Sequence, residues 1–382
     1  MKIVHICLCG AMTDGFNYQE NVITKYHRKL GYDVTIIASQ WIWGTDGKLQ
    51  KTERNNYLNA DGVKMIRLPI KNGNVNNRLK IYTSLYESIE KEKPDILFIH
   101  DCQFLDITTI ARYAKKHKNV RIYVDNHVDY SNGAHGWMSK NVLHRGLWRY
   151  CVKDIEPYVT TFYGVLPARV DFLKELYDIP AEKCKLLVMG ADDELVEKTS
   201  SPIVKSRIRD KYQIKKEDFL IVTGGKIDKW KTQTLLLMQA VQANKSNIRL
   251  IVFGSVTSEL KNQVAALADG YKIQYVGWMN SEQSYEIFAA ADLVVFPGRH
   301  SVFWEQVAGQ GIPMIVKDWQ GTHHIDLGGN VIFLQNDSVD EMEKMIEEIH
   351  NNPKLYKMMK ECAETKGKDY FSYSNIAKRS LE

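Results

Sequence analysis

The chain has 382 residues, 44% of them hydrophobic and 25% charged, with a formal net charge of +5. Such a composition supports large buried cores and argues against intrinsic disorder, and the length predicts two domains or more. No apolar run reaches the roughly 20 residues of a membrane-spanning helix. The charge is uneven: residues 1–190 carry 27 Lys/Arg against 20 Asp/Glu, and residues 191–382 carry 24 against 26. The N-terminal half is therefore the one suited to an anionic surface or substrate, although solvated surface lysines would give the same excess.

The opening run MKIVHICLCGAM is too short for a signal peptide and passes straight into a polar loop, so it reads as a first buried strand. The loop at 9–21 contains Gly10 and Gly15, and a helix, ENVITKYHRKLG, follows it. DVTIIAS, GVKMIRLP, DILFIHD and RIYVDNH read as strands, with YTSLYESIEKEK and ITTIARYAKKHK as amphipathic helices. This alternation predicts a parallel sheet covered on both faces, whose ligands bind beyond the carboxyl ends of the strands. Asn126, His127, Asp129 and Tyr130 follow one strand directly, and His100 and Asp101 end another. A His and an Asp on such a rim can hold sugar hydroxyls or assist proton transfer; a structural His is the competing reading. Residues 136–150, GWMSKNVLHRGLWRY, mix Trp137, Met138, Leu143, Leu147 and Trp148 with Lys140, Arg145 and Arg149. They fit an interfacial amphipathic helix or a core helix with snorkelling cations.

The pattern restarts after KCKLLVMGADDE (183–194), with SSPIVK (200–205) read as an irregular linker edge. The expected division is an N-terminal Rossmann-like domain over 1–175 and a C-terminal one over 176–382 with a closing helix, facing each other across a cleft. In TGGKIDKWK, Gly224 and Gly225 end a strand, and Lys226, Lys229 and Lys231 follow. Glycine lets backbone approach a ligand, and a helix start with nearby lysines favours phosphate. The stretch matches neither GxGxxG nor the P-loop, and an ordinary turn with surface lysines remains open. Gly254 and Gly277 end strands on the same side, where Trp278 offers a flat surface for a nucleobase or packs as a core aromatic.

In PGRHSVFWEQVAGQGIP, Ser301 is placed to cap a helix. Glu305 falls one residue too late for a capping box, and is expected to face the cleft and accept hydrogen bonds from sugar or ribose hydroxyls. The six cysteines show no metal-ligand spacing and read as free thiols of a reducing cytoplasm. HHIDLGGN (323–330) reads as a glycine-rich loop, with no metal expected there.

On the GGKIDKWK loop, the GADDE segment, YVGWM and ADLVVFPGRHSVFWEQVAGQGIP, the chain resembles family 4 glycosyltransferases of GT-B architecture, of the bacterial surface-polysaccharide type. The resemblance implies retaining transfer of a hexose-type sugar from a nucleotide diphosphate sugar, UDP-linked by preference, with no metal or other cofactor. The acceptor is implied to be a glycan or a glycan carried on a polyprenyl diphosphate. Cytoplasmic placement with contact at the inner membrane face follows, and no nucleic-acid partner is expected. Lys226 and Lys231 correspond to the basic residues on the diphosphate, His127 to the sugar-contacting His, and the loop to Gly15 to the first glycine loop; Gly224, Gly225, Gly254 and Trp278 belong to the nucleotide side. The family carries two Glu eight positions apart. Here Gln306 fills the second slot and Gly298 the first, so Glu305, His300 and Ser301 are expected to stand in at the sugar or ribose. A nucleotide-sugar epimerase of the same fold, or a non-catalytic nucleotide-sugar binding subunit, remain alternatives.

Overall fold

The computed structural model describes residues 1–44, 48–229 and 232–382. The chain forms two compact units, Met1–Val188 joined by Ile376–Glu382, and Met189–Asn375. The division falls later than the 175/176 boundary expected above. The reason is the short strand Cys184–Leu186, which pairs in parallel with Val159–Gly164 and so extends the first sheet. The last residues return to the first unit, where the Tyr123 hydroxyl donates to the Leu381 carbonyl at 2.8 Å.

The first unit holds an eight-stranded sheet. Its spatial order is Cys184–Leu186, Val159–Gly164, Arg121–Asn126, Ile96–His100, Lys2–Cys7, Asp33–Ser39, Lys64–Leu68, Asn56–Leu58. Only the edge strand Asn56–Leu58 runs antiparallel. The central strands are nearly continuous apolar runs because both faces are covered: Ile3, Val4, Ile6, Leu97, Phe98 and Ile99 have no exposed surface. Helices close the layers with apolar stripes, as in Ile107–Lys116, where Ile107, Ile110, Ala111 and Ala114 are buried and Lys115 and Lys116 occupy the last turn. The chain order reverses between Lys2–Cys7 and Ile96–His100, which is the switch point where ligands bind in such sheets.

The second unit holds six parallel strands in the order Ile273–Tyr275, Ile248–Phe253, Phe219–Gly224, Leu293–Phe296, Met314–Lys317, Val331–Leu334. This is the Rossmann order, with its switch point between Phe219–Gly224 and Leu293–Phe296.

Two local expectations are corrected. SSPIVK is no linker edge: Ser201 accepts the Val204 N–H at 3.3 Å and Pro202 begins the helix Pro202–Lys211. Serine at the cap followed by proline at the first helical position is a start signal. Residues 136–150 form a helix of unusual pitch, with a π-helical stretch over Ser139–Trp148 running into Arg149–Ile155. His144 and Trp148 are buried on it, while Trp137 and Met138 just before it are 73% and 71% exposed. Among the described residues no helix is long and apolar enough to cross a membrane.

Ser201→Ala is expected to cost the second unit about 1 kcal/mol, read as a lowered urea midpoint; an unchanged midpoint would show that the cap contributes nothing.

Candidate functional site

At the switch point of the second unit the chain leaves Phe219–Gly224 through Gly224 and Gly225, packed against Gly254 at the end of the neighbouring strand Ile248–Phe253. A Cβ on Gly224 would lie 2.2 Å from the Phe253 ring, and one on Gly254 would lie 1.9 Å from the Gly225 carbonyl oxygen. Gly225 and Gly254 both sit at φ +125, a region that L side chains avoid. The turn is pinned: the Gly225 N–H donates to the Phe253 carbonyl at 3.1 Å, and the Ile227 N–H donates to that of Ser255 at 2.8 Å. A small pocket opens beside it, lined by Gly224, Gly225, Lys226 and Thr234 on one side and by Phe296, Gly298, Arg299 and Ser301 on the other. The Lys226 side chain is 63% exposed and its ammonium lies 3.6 Å from Asp228. Lys231 falls outside the described residues.

The loop after Leu293–Phe296 leads into the helix Phe303–Gln310, which is buried on nearly all sides, from Trp304 to Gln310. Ser301 does not cap it: Val302 is the N-cap without a side-chain bond, and Ser301 serves through its carbonyl, which accepts the Trp304 N–H at 3.0 Å. Glu305 does not face open solvent either. It has no exposed surface, and its Oε1 lies 2.8 Å from His300 Nε2 and 3.0 Å from His324 Nε2. Burial alone would raise this carboxyl, but the two imidazoles outweigh it and hold it well below the usual carboxylate range. Glu305 is thus a buried anchor that orients His300, which sits on the loop beside the pocket-lining Arg299 and Ser301. Gln306 is also buried, its amide donating to the Ser284 hydroxyl at 3.2 Å and to Gln310 at 3.3 Å. Neither residue meets the expectation of a carboxylate or amide open to a ribose. The reason is the helix itself: FWEQVAGQ presents no polar face because it is packed all round, closely enough that a Cβ on Gly309 would lie 2.6 Å from Ala191 Cβ.

Trp278 is 72% exposed, so it is no core aromatic, yet it is not among the residues lining the pocket. Gly15 lies in the first unit at φ +77 with open space around it.

In the first unit, the strand Arg121–Asn126 ends at a second buried carboxylate. Asp125 has no exposed surface; its Oδ2 lies 2.7 Å from His100 Nδ1 and its Oδ1 lies 3.5 Å from His127 Nε2. Asp101, held at φ +62, donates its N–H to Asp125 Oδ1 at 3.1 Å and accepts the His127 N–H at 2.7 Å. A non-glycine residue in that conformation stores strain, as functional rims often do. Burial would lower His127, but the Asp125 carboxylate prevails and pushes it up to about 9. His127 therefore carries a proton at neutral pH while its side chain remains 26% exposed. His127, His100 and Asp101 were legible as a rim; Asp125 was missed, although an acid inside the apolar strand RIYVDN was the signal.

The cysteines are free. Of the two adjacent histidines, His323 bonds Asp318 at 2.6 Å and His324 bonds Glu305.

Residues 204–366 match the family model described as glycosyl transferases group 1. That span contains the whole pocket lining and the Glu305 cluster. Among solved structures, the chain is similar over its whole length to a glycosyltransferase from Rickettsia africae ESF-5, at 15% identity and TM-score 0.68, covering 100% of this chain and 96% of that one. It is similar to Anabaena HepE in complex with UDP, at 15% identity and TM-score 0.72, covering 99% and 98%. It also resembles WaaG, a glycosyltransferase involved in lipopolysaccharide biosynthesis, at 14% identity and TM-score 0.65, covering 99% and 98%. The fold is the GT-B fold of two Rossmann-like domains. No curated protein matches the chain in sequence.

Glu305→Ala is expected to destabilise the second unit by about 3–5 kcal/mol by stripping both histidines of their acceptor; a loss under about 1 kcal/mol would contradict the anchoring role. His127, raised in the folded state above its ordinary 6.5, contributes stability that is complete below about pH 6.5 and lost as pH rises through 9. Denaturation midpoints should accordingly fall between pH 7 and 10 in the wild type, and fall less in His127→Gln.

Proposed function

We propose that the protein is a retaining glycosyltransferase that moves a hexose-type sugar from a nucleotide diphosphate sugar, with UDP as the favoured nucleotide, to a glycan acceptor in polysaccharide biosynthesis. The observation that carries this reading is the glycine-pinched pocket at the Rossmann switch point, lying wholly inside the segment that matches glycosyl transferases group 1. The structure of HepE with UDP-glucose, on the same fold, supports a nucleotide sugar as the donor.

Each residue then has a role set by its chemistry. Gly224, Gly225 and Gly254 let the backbone approach the diphosphate. Lys226 and Lys231 stabilise the charge that builds on it as the bond from the anomeric carbon to the phosphate oxygen breaks. Basic side chains supply that neutralisation without a metal. His300, oriented by Glu305, and Ser301 address the sugar in place of the two carboxylates that the family pattern places at Gly298 and Gln306. Trp278 offers its exposed ring to the base. His127, held protonated by Asp125, donates a hydrogen bond to the donor sugar. The acceptor hydroxyl attacks on the face that the diphosphate leaves, and its proton passes to the departing phosphate oxygen. A lipid-linked acceptor agrees with the exposed Trp137, Met138, Val142 and Leu143 beside Lys140, Arg145 and Arg149, an arrangement suited to the surface of an anionic bilayer.

A thermal-shift panel of UDP-, GDP-, ADP- and dTDP-sugars tests the donor, since a ligand at 100 times its Kd stabilises by about 2.7 kcal/mol. A UDP-sugar should raise the midpoint, and Lys226→Ala should lower turnover about 10- to 100-fold. Conversion of the donor sugar without acceptor would assign an epimerase instead, and nucleotide binding without release in the presence of acceptor would assign a binding subunit. Flotation with anionic vesicles should be lost in Trp137→Ala/Met138→Ala; equal flotation of the variant would remove the membrane face from the account.

A further inference from the structure

The first sheet has its own switch point, between Lys2–Cys7 and Ile96–His100, and a lysine side chain ends there. Lys80 Nζ lies 3.2 Å from Cys9 Sγ, just beyond the first of these strands, and 3.3 Å from the Gln103 carbonyl, just beyond the second. Bonds to the loops leaving both strands hold it in that place. Lys80 closes the short helix Asn74–Leu79. The Leu105 N–H donates to the Leu79 carbonyl at 2.9 Å, which ties the helix end to the loop after Ile96–His100. Two residues on, the buried Tyr82 gives its hydroxyl proton to the Leu8 carbonyl at 2.7 Å and its N–H to Asp106 at 2.5 Å. Lys80 itself is left-handed, at φ 56 and ψ 62. A helix ends in this way at least cost on glycine or asparagine. A lysine there stores strain, as residues on binding rims often do.

The charge at this point is not balanced by the protein. An ammonium has three N–H donors, and the two contacts of Lys80 are a thiol and a peptide carbonyl. Neither is an anion. Burial pushes the Cys9 thiol up to about 11 against the pull of Lys80, so the sulfur accepts from Lys80 while its own proton goes to the Gln103 carbonyl at 3.4 Å. Among the described residues no carboxylate forms an ion pair with Lys80, and its third N–H has no protein acceptor. Asp101 stands on the same rim, where its carboxylate accepts the His127 N–H at 2.7 Å. A half-buried cation without a counter-ion is unfavourable, and this one sits in the crevice where parallel sheets bind ligands. An anion supplies both the missing charge and the missing acceptor. Phosphate suits a lysine best, because an ammonium binds it as a point charge with no demand on orientation.

We propose that Lys80 is the cation of a phosphate subsite at the switch point of the first sheet, in addition to the Lys226 pocket of the second unit. It takes one phosphate of a diphosphate ester, which is either the carrier diphosphate of a lipid-linked acceptor or the diphosphate of the donor. Naming that ester as a substrate rests on the glycosyltransferase reading; the binding of phosphate at Lys80 does not.

Calorimetric titration of the full chain tests this. Lys226→Ala removes the phosphate cation of the second unit, and inorganic pyrophosphate should still bind that variant. Adding Lys80→Asn should weaken the remaining binding by about 10-fold or more, the loss expected for a hydrogen bond to a charged group. Asparagine accepts the left-handed conformation, so the urea midpoint should not fall, and the loss then reads the missing charge rather than a misfolded loop. Lys80→Arg keeps the cation and should restore most of the affinity. Geranyl diphosphate and UDP, titrated with Lys226 intact, identify the ester. A loss in Lys80→Asn confined to geranyl diphosphate assigns the subsite to the acceptor, and a loss confined to UDP assigns it to the donor. No binding of pyrophosphate to Lys226→Ala, or an affinity that Lys80→Asn leaves in place, would overturn the proposal. Binding as expected with no turnover on any nucleotide sugar would keep the subsite and refute the functional reading instead.

Discussion

Two carboxylates without access to water, Asp125 and Glu305, constrain the chemistry of this protein more than any other feature. A buried carboxylate is costly unless donors compensate it, and in both cases imidazoles are among the donors, joined at Asp125 by the Asp101 N–H. Asp125 lies between His100 and His127, and Glu305 between His300 and His324. The consequence is directional. The carboxylate stays ionised, and a partly exposed histidine beside it is fixed in orientation. In each unit that histidine stands just beyond the carboxyl end of a parallel strand, where Rossmann-like sheets place their ligands.

The glycine pinch of the second unit follows from the same architecture. Parallel strands in the Rossmann order splay at the switch point, and the turn leaving the first strand must pass over the end of its neighbour. Gly224 and Gly254 allow that contact at distances that exclude a Cβ. The helix Phe303–Gln310 is driven inward by its apolar surface, and it carries Glu305 with it. What reaches the pocket is therefore the loop before the helix, with Arg299 and Ser301 on the lining, and His300 between them.

Much of the fold was legible because buried parallel strands announce themselves as apolar runs, as in DILFIH and IRLIVF. The turn at Ser201–Pro202 was misjudged because its polarity outweighed its meaning as a helix start. The position of Glu305 could not be read from spacing. A lone acid in an apolar helix is ambiguous between a surface carboxylate and a buried one, and the difference lay in His324, 19 residues beyond Glu305 and brought near by the fold.

Neutron diffraction from deuterium-exchanged crystals near pH 7 tests the central claim most directly. The account predicts no deuteron on either oxygen of Asp125 or Glu305, with deuterons on the imidazole nitrogens that face them. A deuteron resting on either carboxylate would contradict it.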